Sequence, residues 1–586
     1  QADLYRGLTE LRDSIDLWRT RDVAMAEQQS RDLVTLIHSQ AVDVDLIDIP
    51  EPWPLAQAEQ AIQTLRDQLD EIEQSLIPYG LHVVGKAPPT AERDDLLRSV
   101  ARASDGVELN DNWLTALNEG ADVAQLLRRS DAPAANDPEA LVHTLHRSHH
   151  HLGEDHELPA LMRALDARYI APVAGGDVLK NPDILPTGRN IHGFDPFRLP
   201  SRFAVEEGAR QAQQLLARHQ ADAQQQPSAV ALVLWGTDNL KSEGVAIAQA
   251  LALMGARPHL DSYGRVSGAE LLSLEELGRP RVDVVMTLSG IFRDLLPMQT
   301  RLLADAAWLA ANAEHESASD NPIRANALHY QDTHGCDFET AALRVFSNAE
   351  GAYGSNVNML IDSSAWEDES ELAETFTRRK GHAYGRHGAV DSQTELLTNL
   401  LGRVDLAYQN LDSVELGVTT VDHYFDTLGG ISRAIGRERP DSDVPVYIAD
   451  HTGGNERIRT LAEQVTLETR TRVLNPKWYE SMLDHGYEGV RAIETHVTNT
   501  MGWSATTGQV APWVYQQLSD TFILDAAMRK RLAALNPTAA AKVVNRLLEA
   551  QERQYWDPDE ACLDALRSAG EDLEDWIEGV SGEAVA

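Results

Sequence analysis

Apolar residues recur every three to four positions through residues 1 to about 78 and again from 90 to 165. LYRGLTELRDSIDLWR and QAEQAIQTLRDQLDEIEQSL each gather Leu and Ile on one helical face. Pro50, Pro52 and Pro54 interrupt the first helical run, and Ile77 to Gly85 predicts a turn running into a short strand. From 166 to 202 no period of 3.6 or 2 survives, and Pro and Gly are dense. That stretch keeps Ile, Leu, Val and Phe, which predicts an ordered, packed loop. Its Asn181, Arg189, Asn190, His192 and Asp195 are then polar groups on a rigid loop, a usual place for ligand contacts.

After residue 204 the pattern changes. SAVALVLWG, ARPHLD and RVDVVMTLSG read as strands, each followed or preceded by a helical period, as parallel strands joined by crossover helices require. Polar residues follow two strand ends, at Trp235–Asn239 and Ser289–Asp294, and carboxyl edges of such sheets bind ligands. Asp238 and Asp294 either serve there or cap the next helix. WEDESELAETFTRRKGHAYG predicts a helix, acidic early and basic late as its dipole favours. VPVYIAD is a further strand, and the remainder is mainly helical. The fold class expected is multi-domain α/β: a helix-rich domain over 1–165, an ordered irregular segment over 166–203, a parallel-type α/β domain over 204–440, and a mixed, mainly helical region over 441–586.

Composition narrows the function. A length of 586 residues exceeds one core, and a net charge of −40 repels phosphate backbones, which argues against nucleic-acid binding. The two cysteines, Cys336 and Cys562, form no spacing motif and point to a reducing, cytoplasmic setting. No apolar run approaches the roughly 20 residues of a membrane span. The first residue is not Met, from which a piece of a longer protein is expected. No P-loop or strand-linked GxGxxG occurs, so no nucleotide site is expected on this chain.

Two polar clusters carry candidate chemistry. His143, His146, His149, His150, His151 and His156 have spacings that could bind a transition metal, but their Ala-, Asn-, Asp- and Pro-rich surroundings favour a solvated loop or helix end. Tyr408–Gly430, YQNLDSVELGVTTVDHYFDTLGG, is flanked by long apolar-rich segments. Its His423 and Asp426, three apart, would share a helical face, and a His with nearby carboxylates can move protons or hold a metal. A decorated surface turn is the plain alternative.

PTGRNIHGFDPFRLPS, LWGTDNLKSEG, ELGRPRVDVVMTLSGIFRDLLP, RVFSNAEGAYGSNVN, LNPKWYESMLDHGYEGVR and NTMGWSATTGQVAPWVY resemble, in fixed order, the large porphyrin-binding subunit of magnesium chelatase, in its C-terminal half. The related cobaltochelatase large subunits share the PTGRN and GRPR-like stretches and differ where this chain reads SGIFRDLLP, RVFSNAEGAYGSNVN and NLDSVELGVTTVDHYFD, including at His423 and Asp426. The resemblance implies ATP-dependent insertion of Mg²⁺ into protoporphyrin IX, toward (bacterio)chlorophyll. It implies as partners a AAA+ ATPase subunit that binds the ATP, its co-subunit and the N-terminal half of the same subunit, and it allows peripheral membrane association.

Chelation removes two pyrrole protons, strips water from Mg²⁺ and needs a dry apolar slot. Fitted to the motif positions, His423 is the proton acceptor, Glu415 a second base or Mg²⁺ ligand, and Asp426 a ligand or orienting carboxylate. Phe425, Trp503 and Tyr353 would line the slot. Arg189 and Arg293 would pair with the two propionates, Asn190 would lie beside the porphyrin, and His192 is an alternative histidine. A rival reading makes the chain a tetrapyrrole-binding or scaffold module without chemistry of its own.

Overall fold

The computed structural model describes residues 2–21, 27–47, 49, 51–173, 175–179, 181–190, 194–440, 442–452 and 457–579. Two compact units emerge, each discontinuous in sequence. One comprises 82–464 with 499–509, the other 1–81 with 465–498 and 510–586. The region after 441 thus contributes to both.

The first unit is built on strands β1 (Ala229–Leu234), β2 (Ala256–Leu260), β3 (Val266–Leu271), β4 (Asp283–Leu288), β5 (Val345–Ser347), β6 (His382–Gly385), β7 (Gly388–Ser392), β8 (Leu406–Leu411), β9 (Val446–Asp450) and β10 (Arg457–Thr460). β2 and β3 form a separate hairpin, and the other eight lie in the order β10-β9-β8-β1-β4-β5-β6-β7. The central pairings, β9 to β8 to β1 to β4 to β5, are parallel, while β10, β6 and β7 join by antiparallel pairing. β1 and β4 are buried at every position, as unbroken AVALVL and DVVMTL runs require of strands covered on both faces. β8 is equally buried but carries Tyr408, Gln409 and Asn410. Most of their polar groups are matched inside: Gln249 Nε2 donates to the Tyr408 hydroxyl at 2.9 Å, and Trp235 Nε1 to Gln409 Oε1 at 3.2 Å, while Gln409 Nε2 is buried without a partner.

Two buried ion pairs fix the opposite, amino-terminal side. Arg344 Nε meets Asp283 Oδ1 at 2.6 Å with both side chains essentially inaccessible, and Arg281 Nη2 meets Glu316 Oε1 at 2.6 Å. Arg281 also donates to the carbonyls of Met254, Gly255 and Leu272. The GRPR stretch is therefore scaffold. Two local expectations change. The helix Glu369–Lys380 ends before Gly381, and His382–Gly385 pairs with β5 as a strand instead of continuing the helix. Residues 77–85 form turns and no strand.

The described residues of the second unit form helices and the turns that join them. Leu11, Ile15, Trp18, Ile37, Leu65 and Leu69 lie buried on the stripes that the periodicity marked out. Asn475 and Asn536 cap helices that open with Pro476 and Pro537, a pairing suited to the first turn. Among the described residues no helix is long and apolar enough to cross a membrane.

Candidate active site at the carboxyl edge of the sheet

Chain order places β4 and β5 on one side of β1 and β8 and β9 on the other. Connections leaving β1 and β8 therefore diverge at the carboxyl edge, where an open parallel sheet leaves a crevice for ligands. Trp235 leaves β1 there, and the segment 412–424 leaves β8. The rings of Trp235 and Tyr424 lie 5.2 Å apart. The irregular segment reaches the same edge: buried Asp177 accepts from Val414 N and from Leu179 N, both at 2.8 Å. Gln299 holds that segment from behind by donating to the carbonyls of Pro196 and Leu199.

Beyond the 412–421 loop the chain forms a short helix, Asp422–Tyr424, a π-helical turn, Phe425–Gly429, and the helix Gly430–Glu438. Single π-turns inside helices recur at functional sites. Gly429 and Gly430 permit this one: a Cβ on the first would fall 2.3 Å from Thr506 Oγ1 and on the second 2.5 Å from the Phe376 ring. The packed π-turn separates the environments of His423 and Asp426. Asp426 is 0% exposed, whereas the His423 side chain is 60% exposed, with Nδ1 3.9 Å from Asp422. The shared face expected from their spacing is not formed, because His423 lies on the solvent side of a first turn and Asp426 on the buried turn that follows.

Asp426 instead clamps a neighbouring loop. Its Oδ2 accepts from Ser355 N at 2.6 Å, and its Oδ1 from Ser355 Oγ at 2.7 Å and Asn358 N at 3.1 Å. Asn358 Nδ2 donates to Asp422 Oδ2 at 2.6 Å. Cations hold the other end of this loop. Arg293, 6% exposed, donates from Nη1 to the carbonyls of Asn348, Ala349 and Ala352 and from Nε to Asp294 at 2.7 Å. Lys380 Nζ donates to Asn348 Oδ1 at 2.9 Å and Leu288 O at 3.3 Å. Burial pushes its pKa down to about 8, against the opposing pull of Asp426. The Arg293 guanidinium holds the Asp294 carboxyl below its ordinary range, and Asp294 accepts the Tyr353 hydroxyl, whose pKa it raises. Asp294 is thus no helix cap; Ser289 has that role.

The expected residues fall into three groups. Glu415, His423 and Tyr353 are exposed, Tyr353 at 53%. Tyr353 lies against Gly290, where a Cβ would meet its ring at 2.3 Å. Asp426 and Arg293 are buried and engaged as described. Phe425 and Trp503 are core: 1% and 0% exposed, edge to face at 6.4 Å, with Trp503 Nε1 donating to Val418 O at 2.7 Å. Arg189 and Asn190 lie on the irregular segment, Arg189 donating to Pro172 O at 3.2 Å and the Asn190 backbone pairing with Ala171 and Val173. His192 lies outside the described residues. Among the described residues no three His, Cys, Asp or Glu side chains are gathered to hold a metal, at this edge or in the His-rich helix Pro138–Leu152.

Ser355, Asn358 and Lys380 were not marked as site residues by the sequence. Ser355 and Asn358 sit in SNAEGAYGSNVN, a run of small residues that follows a strand. Lys380 reads as the basic end of a helix. The available signal was the density of small polar residues directly after a strand.

The family model described as CobN/Magnesium Chelatase matches residues 1–563. The magnesium-chelatase H-type polypeptide of Rhodobacter capsulatus is 53% identical over 585 residues, covering 100% of this chain and 44% of the relative. The CobN polypeptide of the aerobic cobaltochelatase of Sinorhizobium sp is 35% identical over 415 residues, covering 69% of this chain and 32% of the relative. The solved catalytic subunit of cobaltochelatase from Mycobacterium tuberculosis superposes with a TM-score of 0.87 at 29% identity, over 97% of this chain and 51% of that one. This chain thus spans about half the length of such relatives or less. With a family match and a fold match that both run nearly end to end, the chain belongs to the CobN/magnesium chelatase family.

Proposed function

We propose that the chain forms the porphyrin-contacting, metal-inserting part of a magnesium-chelatase large subunit. Its reaction is the ATP-dependent insertion of Mg²⁺ into protoporphyrin IX on the way to (bacterio)chlorophyll. The observation that carries this reading is 53% identity along the whole chain to a magnesium-chelatase H-type polypeptide, against 35% over part of it to a cobaltochelatase polypeptide. ATP is hydrolysed on a AAA+ partner and its co-subunit, and the remaining half of the same large subunit completes the enzyme.

The carboxyl edge supplies what chelation needs. Ile291, Tyr353 and Met359 expose apolar surface, at 45%, 53% and 65%, on segments linked through Gly290 and Asn358. A flat apolar macrocycle can rest on them. Exposed His423 accepts a pyrrole proton, and the second goes to Glu415 as second base or again to His423 once the first has passed to water, with Glu415 then the carboxylate that receives the substrate Mg²⁺. Asp426 is the orienting carboxylate: its lone pairs hold Ser355 and Asn358, and Asn358 positions Asp422 beside His423. Arg293 contributes through the loop that carries Tyr353. Arg189 and Asn190 face the substrate's polar rim.

The fold likeness to a cobaltochelatase subunit favours one second reading, cobalt insertion into a corrin precursor. A chimera decides between them. This chain replaces the corresponding part of the R. capsulatus large subunit and is mixed with the two partner subunits, ATP, deuteroporphyrin and either Mg²⁺ or Co²⁺. Mg²⁺-porphyrin fluorescence that depends on ATP is expected. Porphyrin binding without chelation would replace this reading with a binding module, and cobalt insertion alone would replace it with the second reading.

A further inference from the structure

The helix Glu369–Lys380 ends in three consecutive cations with three different fates. Arg378 is exposed to solvent, as the carboxyl end of a helix favours. Lys380 is 1% exposed and its ammonium is taken up by Leu288 O and Asn348 Oδ1. Arg379 lies between them, half-buried. Its Nη2 donates to the Tyr353 carbonyl at 3.0 Å, and its Nε is buried without a partner.

A guanidinium offers five N–H donors in a planar fork. At Arg379 one contact, to a neutral carbonyl, uses a single donor direction. Among the described residues no carboxylate forms an ion pair with it. The chain holds 91 Asp and Glu against 51 Lys and Arg, so an arginine near the surface would ordinarily meet an acid. Its neighbour Arg293, whose Cζ lies 5.4 Å from the centre of the Tyr353 ring, has both Asp294 and three carbonyls. Tyr353 is therefore flanked by one arginine that holds a carboxylate and three carbonyls, with only Nη2 unpartnered, and by one that holds a single carbonyl and no carboxylate. The second lies beside the exposed apolar surface.

We propose that Arg379 is the carboxylate-recognising residue of the carboxyl-edge site and takes a propionate of the porphyrin. This rests on the porphyrin reading of the site and names a contact within it. Anchoring of Tyr353 alone is the structural alternative, and it predicts no dependence on ligand charge.

The test uses the chimeric full-length large subunit, titrated by fluorescence quenching with deuteroporphyrin and with its dimethyl ester, which has the same ring without the carboxylates. The wild type is expected to bind the acid at least about tenfold more tightly than the ester, the range for a charge-assisted contact. Arg379→Gln weakens the acid about tenfold and leaves the ester unchanged, so the preference closes, and Arg379→Lys restores part of it. Unchanged ester affinity also reports that the site has kept its shape. If Arg379→Gln keeps the acid-to-ester ratio, or weakens both ligands equally, the assignment is overturned and the residue is an anchor for Tyr353. A wild type that binds both equally also overturns it, with the porphyrin reading intact. A wild type that binds neither refutes the porphyrin reading and this contact with it.

Discussion

Two loops meet at the carboxyl edge and are built on opposite principles. Residues 348–358 are held by buried charges: Arg293 and Lys380 take up backbone and amide oxygens at one end, and Asp426 takes up Ser355 and Asn358 at the other. Residues 412–424 are fixed at their base by Asp177, Asn499 and Trp503 and present Glu415 and His423 to solvent. Buried polar groups of the first kind cost stability unless every partner is present, and so they make a stiff frame. Exposed groups of the second kind lie where a substrate can reach them. Under the proposed function, acid–base chemistry would fall to the second loop and geometry to the first.

The difference can be broken from the frame side. Asp426→Ala leaves Ser355 and Asn358 donors buried without their acceptor and Lys380 without the carboxylate that offsets its burial. A loss of about 3–5 kcal/mol in urea unfolding is expected. A loss below about 1 kcal/mol would show that the clamp contributes little.

Lys380 sharpens the same point through pH. Its folded pKa lies near 8 and its ordinary value is 10.5. Between those values the unfolded chain binds more protons than the folded one, so this residue's contribution to stability rises with pH there and its full cost applies below about pH 8. Relative to Lys380→Met, the wild type should gain on the order of 3 kcal/mol between about pH 7.5 and 10.5. Parallel pH profiles would instead place the ammonium in contact with water.

The smallest expected effect lies on the other loop. Glu415→Gln and His423→Ala should each change unfolding stability by no more than about 0.5 kcal/mol, as exposed positions do. A larger change in either would mean that its loop is frame after all.

Much of this was legible from residue patterns. Continuous apolar runs gave β1, β4 and β9, and the 3.6-residue period gave the helices of the second unit. The density of polar residues in NLDSVELGVTTVDHYFD pointed to the segment that leaves β8 at the switch point. The environments of its side chains were not legible. A spacing of three says that His423 and Asp426 share a face only if the helix is regular, and the π-turn depends on packing against residues 499–507, far away in sequence. Arg293 illustrates the same limit. An arginine in a motif after a strand suits an anion, but whether its donors remain free depends on carbonyls 55 to 59 residues later. The His-rich helix shows the converse, since among the described residues its prominent histidines do not gather with others into a group of three that could hold a metal.

The central claim is that His423 performs proton transfer on a frame held by Asp426. The most direct measurement is the single-turnover rate of Mg²⁺ insertion by the His423→Ala chimera, taken beside its porphyrin affinity. A rate lowered at least about a hundredfold with affinity unchanged is expected. A normal rate at normal affinity would contradict that claim.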